Sequence, residues 1–375
     1  MIAHKNTLTY GYEMTNRLDS IQVLRGIAAL SVVLFHYRFY LVPDGSSLDI
    51  PNKLFGWGAI GVDLFFVISG FIMVYITYHK PAGFKSWKEF AISRLSRILP
   101  TYYILLLITF LISGAMSIFH YQDKTANLIS ALTFTPYLVS PGPFYIDPNG
   151  MYNTRWTLNY EIYFYAVFSL CLISGKRTLT LLGWVALTAI TGYTATGIFT
   201  LSAKGYETHS AAFNLLTNPI ILEFIIGVLT GYAYFNLKDR SKNLKLATLV
   251  FVFISIIAML PQLKAHSLYT AGISACLILV FSLFNSQITS FTPQIFIKMG
   301  DVSFSWYLLH NPFIHAVADK AEKVIPDLVR SWYGFAFFTI ASFLVACISH
   351  KYLEIKLTNK IRHALVNQKK AEAMP

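Results

Sequence analysis

IQVLRGIAALSVVLFHYRFYLV, residues 21–42, is the stretch on which the fold turns. At about 1.5 Å per residue it is long enough to cross the hydrocarbon of a bilayer as a helix. It has no small-residue cleavage site, so it reads as a retained span and not as a signal peptide. It nevertheless carries Arg25, His36 and Arg38, groups that hydrocarbon tolerates only where they face protein, water or the interface. Working outward, the same length and apolarity recur at 59–78, 100–119, 156–174, 178–199, 218–237, 244–262, 267–285, 302–318 and 331–353. The expectation is an all-α, polytopic membrane bundle of about ten transmembrane helices, forming one domain over 1–353 with a short basic tail over 354–375. The segment 126–139 reads as a re-entrant or interfacial piece.

Of 375 residues, 55% are hydrophobic and only 13% charged, which excludes an ordinary soluble domain. Cys171, Cys276 and Cys347 each lie in an apolar stretch, without the spacing of a disulfide framework or a zinc cluster, so no metal is expected. The net charge of +12 is dispersed among loops and forms no single patch, which argues against a nucleic-acid partner. With an even number of spans both termini share one side. That side carries twenty lysines and arginines, from Lys5 and Arg17 to Arg362, Lys369 and Lys370, against eight on the other. The excess predicts cytoplasmic termini in a cell inner membrane, with the tail held by anionic membrane lipid. The longest loop, 120–155, then lies outside the cytoplasm and is too short for an independent domain.

Counting inward from each proposed span end puts His36 about 9 Å and Glu161 about 7 Å below the outer face, with Asp63 and Glu223 at similar depth. Arg25 precedes His36 by eleven residues, so the two share a helix face, about 20° apart in azimuth and about 16 Å apart along the axis. A cation low and an imidazole high on one face suit a long ligand with a phosphate end toward the cytoplasm and a reactive end toward the outside. The bland alternative is a snorkelling or structural pair, and snorkelling is the default for Arg38. Arg94 and Arg97, just before Pro100 at the entrance of the third span, sit on one side of a helical turn, as a ligand clamp or as interface anchors. In the run Asn153 to Glu161, an aromatic belt accounts for Trp156 and Tyr160 but not for Glu161, which is either a site acid or the partner of a buried arginine or hydroxyl. His310, beside Asn311 and Pro312, is a site residue or a helix-kink residue. Asp63 suggests packing and orientation.

These pieces recur in one order: Arg25 with His36, Gly61-Val62-Asp63-Leu64-Phe65-Phe66-Val67-Ile68-Ser69-Gly70-Phe71, Arg94-x-x-Arg97, Trp156-Thr157-Leu158-Asn159-Tyr160-Glu161, and Tyr307-Leu308-Leu309-His310-Asn311-Pro312. Together they resemble acyltransferase family 3 of membrane O-acyltransferases, most closely its exopolysaccharide-acetylating branch. The resemblance implies transfer of an acetyl or similar short acyl group from cytoplasmic acyl-CoA to a hydroxyl of an exported polysaccharide or its lipid-linked precursor. It implies acetyl-CoA as a donor and no permanently bound cofactor. His36 would be the catalytic histidine, Arg25 its partner, and Arg94 with Arg97 the acyl-CoA-binding pair. Glu161 matches the family's acid and would hold the imidazole in its useful tautomer. Asp63, Arg155, Trp156, Tyr160 and His310 fall on the acceptor side, where Tyr145, Tyr152, Trp156 and Tyr160 offer faces to a sugar. His36 would take the acceptor proton directly or first carry the acyl group. Unlike the larger relatives, the sequence reads as one without a fused hydrolase-like domain, which leaves open whether a separate polysaccharide-biosynthesis protein finishes the transfer as a partner.

A proton-coupled transporter or flippase of a lipid-linked saccharide would also bury His, Glu, Asp and Arg, although the two halves show no repeat. A glycosyltransferase lacks room for a donor site in the outer loops, and a scaffold has no use for so many buried titratable groups.

Overall fold

The computed structural model describes residues 17–148, 150, 152–358 and 360. Its helices are α1 (Asp19–Tyr37), α2 (Asp49–Phe55), α3 (Gly61–Thr77), α4 (Phe84–Ile112), α5 (Gln122–Thr133), α6 (Trp156–Cys171), α7 (Arg177–Thr196), α8 (Ala211–Thr217), α9 (Ile221–Leu237), α10 (Lys242–Met259), α11 (Leu268–Leu283), α12 (Asn285–Phe291), α13 (Gln294–Ala321), α14 (Pro326–Val329) and α15 (Trp332–Ser349). A π-helical turn, His350–Leu357, prolongs α15. No strand occurs among the described residues.

Each predicted span contains a helix. Seven are long and apolar enough to cross a membrane, or eight if α11 and α12, bent by 87°, count as one span. α6, with 16 residues, and α13, with 28, stand outside that set. α6 is too short, and α13 carries His310 and Asn311, buried polar groups that lower its apolarity. At the periphery, Phe251, Phe253 and Ile254 of α10 are 71%, 64% and 60% exposed, an apolar face that only lipid or another protein would cover.

Glycines set the central packing. α1 and α13 run side by side in the same direction, with Arg17 ion-paired to Asp301 at 2.6 Å and Tyr40 donating to Asp319 at 2.9 Å. Between those ties a Cβ on Gly300 would stand 1.9 Å from the Gln22 carbonyl oxygen, so only glycine allows the approach. α3 runs antiparallel to α1, with Gly61 against Ala28, and parallel to α9, whose Gly227 and Gly231 close on Val67 and Val74. The spacing of four between those two glycines gives α9 one smooth face.

Three expectations need correction. α4 begins at Phe84 and runs through Pro100 to Ile112, so Arg94 and Arg97 stand within a helix and not at its entrance. One missing N–H costs a single helical bond, which a packed bundle tolerates. The segment 126–139, read as re-entrant or interfacial, holds the end of α5, Gln122–Thr133, where Tyr102 donates to the Ala131 carbonyl at 2.8 Å. The basic tail does not begin at 354: the helix continues to Leu357, and Glu354 has a buried side chain, 8% exposed. Most of the tail, together with Lys5, Arg362, Lys369 and Lys370, lies outside the described residues. Finally, Asp63, Glu223, His36 and Glu161 do not form one layer. The apolar helical segment begins at Asp49, ahead of the predicted start at 59, and α2 and the turn Gly56–Ile60 occupy its first part, so α3 starts level with Ala28, well below His36.

Candidate active site

Arginines from two helices converge near the middle of the bundle. Arg25 on α1 and Arg94 and Arg97 on α4 line one cavity with Glu161 and Tyr165 of α6. Its space, including the opening, amounts to about 830 Å³. Residues of α3, among them Phe65, Phe66 and Ser69, form one wall, and Ser303, Phe304 and Tyr307 of α13 another. The Arg25 guanidinium donates to Gln22 at 3.0 Å and makes no contact with His36. Arg94 leaves its Nε without a partner, and Arg97 makes no hydrogen bond among the described residues. Guanidinium donors aimed into a cavity, with hydrogen-bonding capacity unused, suit a phosphate or another anion.

Two acids temper this charge. Glu161 accepts from the Tyr165 hydroxyl at 2.5 Å, one helical turn on, and lies within electrostatic reach of Arg25 and Arg94. It does not touch the imidazole of His36, so the triad-like pairing expected from sequence is not formed: α6 enters the bundle too deep for its second turn to reach that level. Glu354 of the π-turn accepts from the Ser305 N–H at 3.0 Å and also from its hydroxyl. It stands within electrostatic reach of Arg25 and Arg97. The sequence reading missed Glu354 because it placed the residue in a solvated tail. The one available signal was His350 four residues earlier, whose Nδ1 lies 3.3 Å from Glu354.

Thr157 and Tyr307 bring hydroxyls to the cavity wall. Thr157 of α6 bonds the Tyr307 hydroxyl of α13 at 2.9 Å. Beyond the Tyr307 ring lies His310, with ring centroids 5.7 Å apart, and beyond it His36, with centroids 4.9 Å apart. His310 is fully buried. Its Nδ1 lies 3.3 Å from the Trp306 carbonyl, and its Nε2 lies 3.2 Å from Nδ1 of His36. That same His36 Nδ1 is 2.9 Å from the Val32 carbonyl.

The tautomers follow from these partners. A carbonyl only accepts, so the proton of His310 belongs on Nδ1 and its Nε2 is an acceptor. Nδ1 of His36 thus faces two acceptors and must itself carry hydrogen. The lone pair of His36 is then on Nε2, which makes no hydrogen bond to the described residues. One proton-accepting nitrogen is left available, with the opposite side of the ring held by α1 and α13. The Tyr37 hydroxyl fixes α13 further, donating to the His310 carbonyl at 2.7 Å.

The other predicted residues make packing and hydrogen-bond contacts. Arg155 is fully buried: its guanidinium donates to Ser130 at 2.9 Å and to the Asn127 side chain and carbonyl at 3.3 Å, which fastens α5 to the start of α6. Tyr145, Tyr152, Trp156 and Tyr160 are exposed by only 1%, 3%, 8% and 0%, so none offers a free face to a sugar. Tyr160 donates to the Pro143 carbonyl at 3.0 Å, and Trp156 packs edge-on against Phe144 and His266. In the loop, burial raises Tyr145 and Tyr152 above the usual phenol range, which keeps both neutral. Asp63 is fully buried and faces Glu223 and His266, away from the cavity. Arg38 does not snorkel; it donates to Asn52 of α2 at 2.8 Å and covers the Phe35 ring.

Residues 18–351 match the family described as "Acyltransferase domain". The chain is 30% identical over 269 residues to the exopolysaccharide production protein ExoZ of Rhizobium meliloti, covering 70% of this chain and 78% of that one. It is 24% identical over 373 residues to the peptidoglycan O-acetyltransferase OatA of Listeria monocytogenes, covering 90% of this chain but 55% of the longer relative. It is 26% identical over 318 residues to the acyltransferase MdmB of Streptomyces mycarofaciens, with 78% of each covered. No solved structure matches. A match across nearly all the described residues, in an all-helical chain with this many apolar helices, makes the protein a multi-pass membrane acyltransferase belonging to acyltransferase family 3.

Proposed function

We propose that the protein transfers an acetyl or similarly short acyl group from cytoplasmic acyl-CoA to a hydroxyl of an exported polysaccharide or its lipid-linked precursor. The observation that carries this reading is that three arginines and the hydroxyls of Thr157 and Tyr307 line one cavity, with His310 and then His36, whose Nε2 is free of hydrogen bonds, beyond the Tyr307 ring. The CoA phosphates engage Arg94, Arg97 and Arg25. The pantetheine arm follows the apolar wall of α3, and the thioester stops at Thr157 and Tyr307. His36 stands beyond the His310 ring, on the acceptor side, and the excess of positive charge on the opposite side of the sequence supports reading this side as the outer face of an inner membrane.

His36 Nε2 removes the acceptor hydroxyl proton as its oxygen attacks the thioester carbon. The new C–O bond gives a tetrahedral oxyanion, for which Thr157 and Tyr307 are the neighbouring donors. The C–S bond then breaks and the CoA sulfur takes the proton back from Nε2, leaving the ester and free CoA. His310 keeps the imidazole in the right tautomer throughout, the task an acid performs in hydrolase triads. The exopolysaccharide-related relative favours a glycan as acceptor.

The test is transfer of labelled acetyl from acetyl-CoA to surface-glycan oligosaccharides by purified protein in lipid nanodiscs. Transfer by the wild type, and its loss in His36→Ala at normal abundance, supports the reading. Transfer retained by His36→Ala removes the histidine from the mechanism, and saccharide movement without acetyl transfer favours a flippase.

A further inference from the structure

Away from the cavity, three side chains from separate elements meet: Asp63 in the first turn of α3, Glu223 in the first turn of α9, and His266 in the turn before α11. Asp63 is fully buried and Glu223 is 1% exposed. One ligand atom of each residue lies within 4.8 Å of the other two, and Nδ1 of His266 is 3.7 Å from Oδ2 of Asp63. Asp63 Oδ2, Glu223 Oε2 and His266 Nδ1 are all buried without a hydrogen-bond partner. The other Asp63 oxygen accepts from the Ser267 N–H at 3.2 Å, which fixes the carboxylate with Oδ2 turned into the cluster.

We infer that Asp63, Glu223 and His266 bind one divalent metal cation of the Zn²⁺ or Mn²⁺ class, which fastens α3, α9 and the entry of α11 together. Two carboxylates and one neutral imidazole carry a formal charge of about −2, which is costly in a membrane interior and is balanced by one divalent ion. An imidazole beside two carboxylates is a donor set for borderline cations more than for Ca²⁺ or Mg²⁺. Ligands about 2.0–2.2 Å from a shared ion are at most about 4.4 Å apart, so small carboxylate and imidazole rotations bring the three onto one shell. The Ser267 N–H supplies the outer hydrogen bond that orients a ligand in metal sites. His266 is 18% exposed, which leaves an entry path, and Trp156 and Phe144 pack edge-on against its ring to hold its direction. The competing arrangement is one proton shared between the two carboxyls.

The experiment uses the full chain in nanodiscs, tag removed, stripped with chelator and then exposed separately to Zn²⁺, Mn²⁺, Mg²⁺ or Ca²⁺. Metal retained after desalting is measured by mass spectrometry, and unfolding temperature is followed in parallel. The expected result is about one Zn²⁺ or Mn²⁺ per chain, with a rise in unfolding temperature. Glu223→Gln and Asp63→Asn should retain none and show no rise. His266→Gln should weaken binding at least about tenfold. Retention below stoichiometry in the wild type, or equal retention in His266→Gln, overturns the assignment. Selective binding of Ca²⁺ or Mg²⁺ also contradicts it. If the acidic-residue variants fail to fold, the wild-type stoichiometry and His266→Gln still decide.

Discussion

Nε2 of His310 lies 3.2 Å from Nδ1 of His36, although 274 residues separate them in the chain. The contact exists because α1 and α13 run parallel in close approach, so a residue near the far end of α1 and one past the middle of α13 reach the same level. It gives His36 a neighbour that accepts its Nδ1 proton and leaves Nε2 free.

His310 is therefore a positioning residue. His310→Ala should lower kcat by about 10²-fold or more and leave the donor KM nearly unchanged. His310→Gln, whose side-chain oxygen can accept from His36, should recover part of that loss. The check is steady-state kinetics on matched amounts of purified protein. Equal losses in both variants would reduce His310 to packing.

Arg94→Ala with Arg97→Ala should act on the donor instead. Each charge-assisted contact contributes about 1.5–3 kcal/mol, so loss of the pair should raise the acetyl-CoA KM by at least about tenfold. The acceptor KM should not move. A donor dependence equal to that of the wild type would return both arginines to membrane anchoring.

Gly300→Val probes the spacing of α1 and α13. The added Cβ meets the Gln22 backbone at 1.9 Å, and backbone cannot rotate aside. Separation of the helices should cost about 1–3 kcal/mol or more and draw the two imidazoles apart. Unfolding temperature and kcat should fall together. An unchanged unfolding temperature would show that the helices are not held this closely.

Arg155→Ala should behave as a folding variant. It leaves Asn127 and Ser130 without their donor at the junction of α5 and α6, a loss of about 1–3 kcal/mol. The expected outcome is lower membrane abundance and heat stability, with the donor KM unchanged in the protein that folds. Normal stability with a raised acceptor KM would restore the substrate-binding role suggested by sequence.

The helices were legible because apolar length is a one-dimensional property, and the shared face of Arg25 and His36 was legible because helical periodicity is strict. Depth was not. Counting from assumed ends treats every span as starting at one plane, whereas α2 and its following turn displace Asp63 inward and α6 carries Glu161 down to the arginines. The partner of His36 was illegible for a different reason. It depends on glycine-controlled approach of two helices far apart in sequence, and Glu161 was the nearer acid by motif but not in space. Aromatic residues around Trp156 read as a binding surface because composition does not distinguish a platform from a core.

The measurement that tests the account most directly is a density map of the protein in nanodiscs with a non-transferable thioether analogue of acetyl-CoA. The prediction is phosphates against Arg94, Arg97 and Arg25, the pantetheine arm along α3, and the sulfur at Thr157 and Tyr307 with His36 Nε2 facing the acyl carbon. An analogue bound elsewhere, or one stopped at the arginines with Tyr307 still sealing the way to His36, would contradict it.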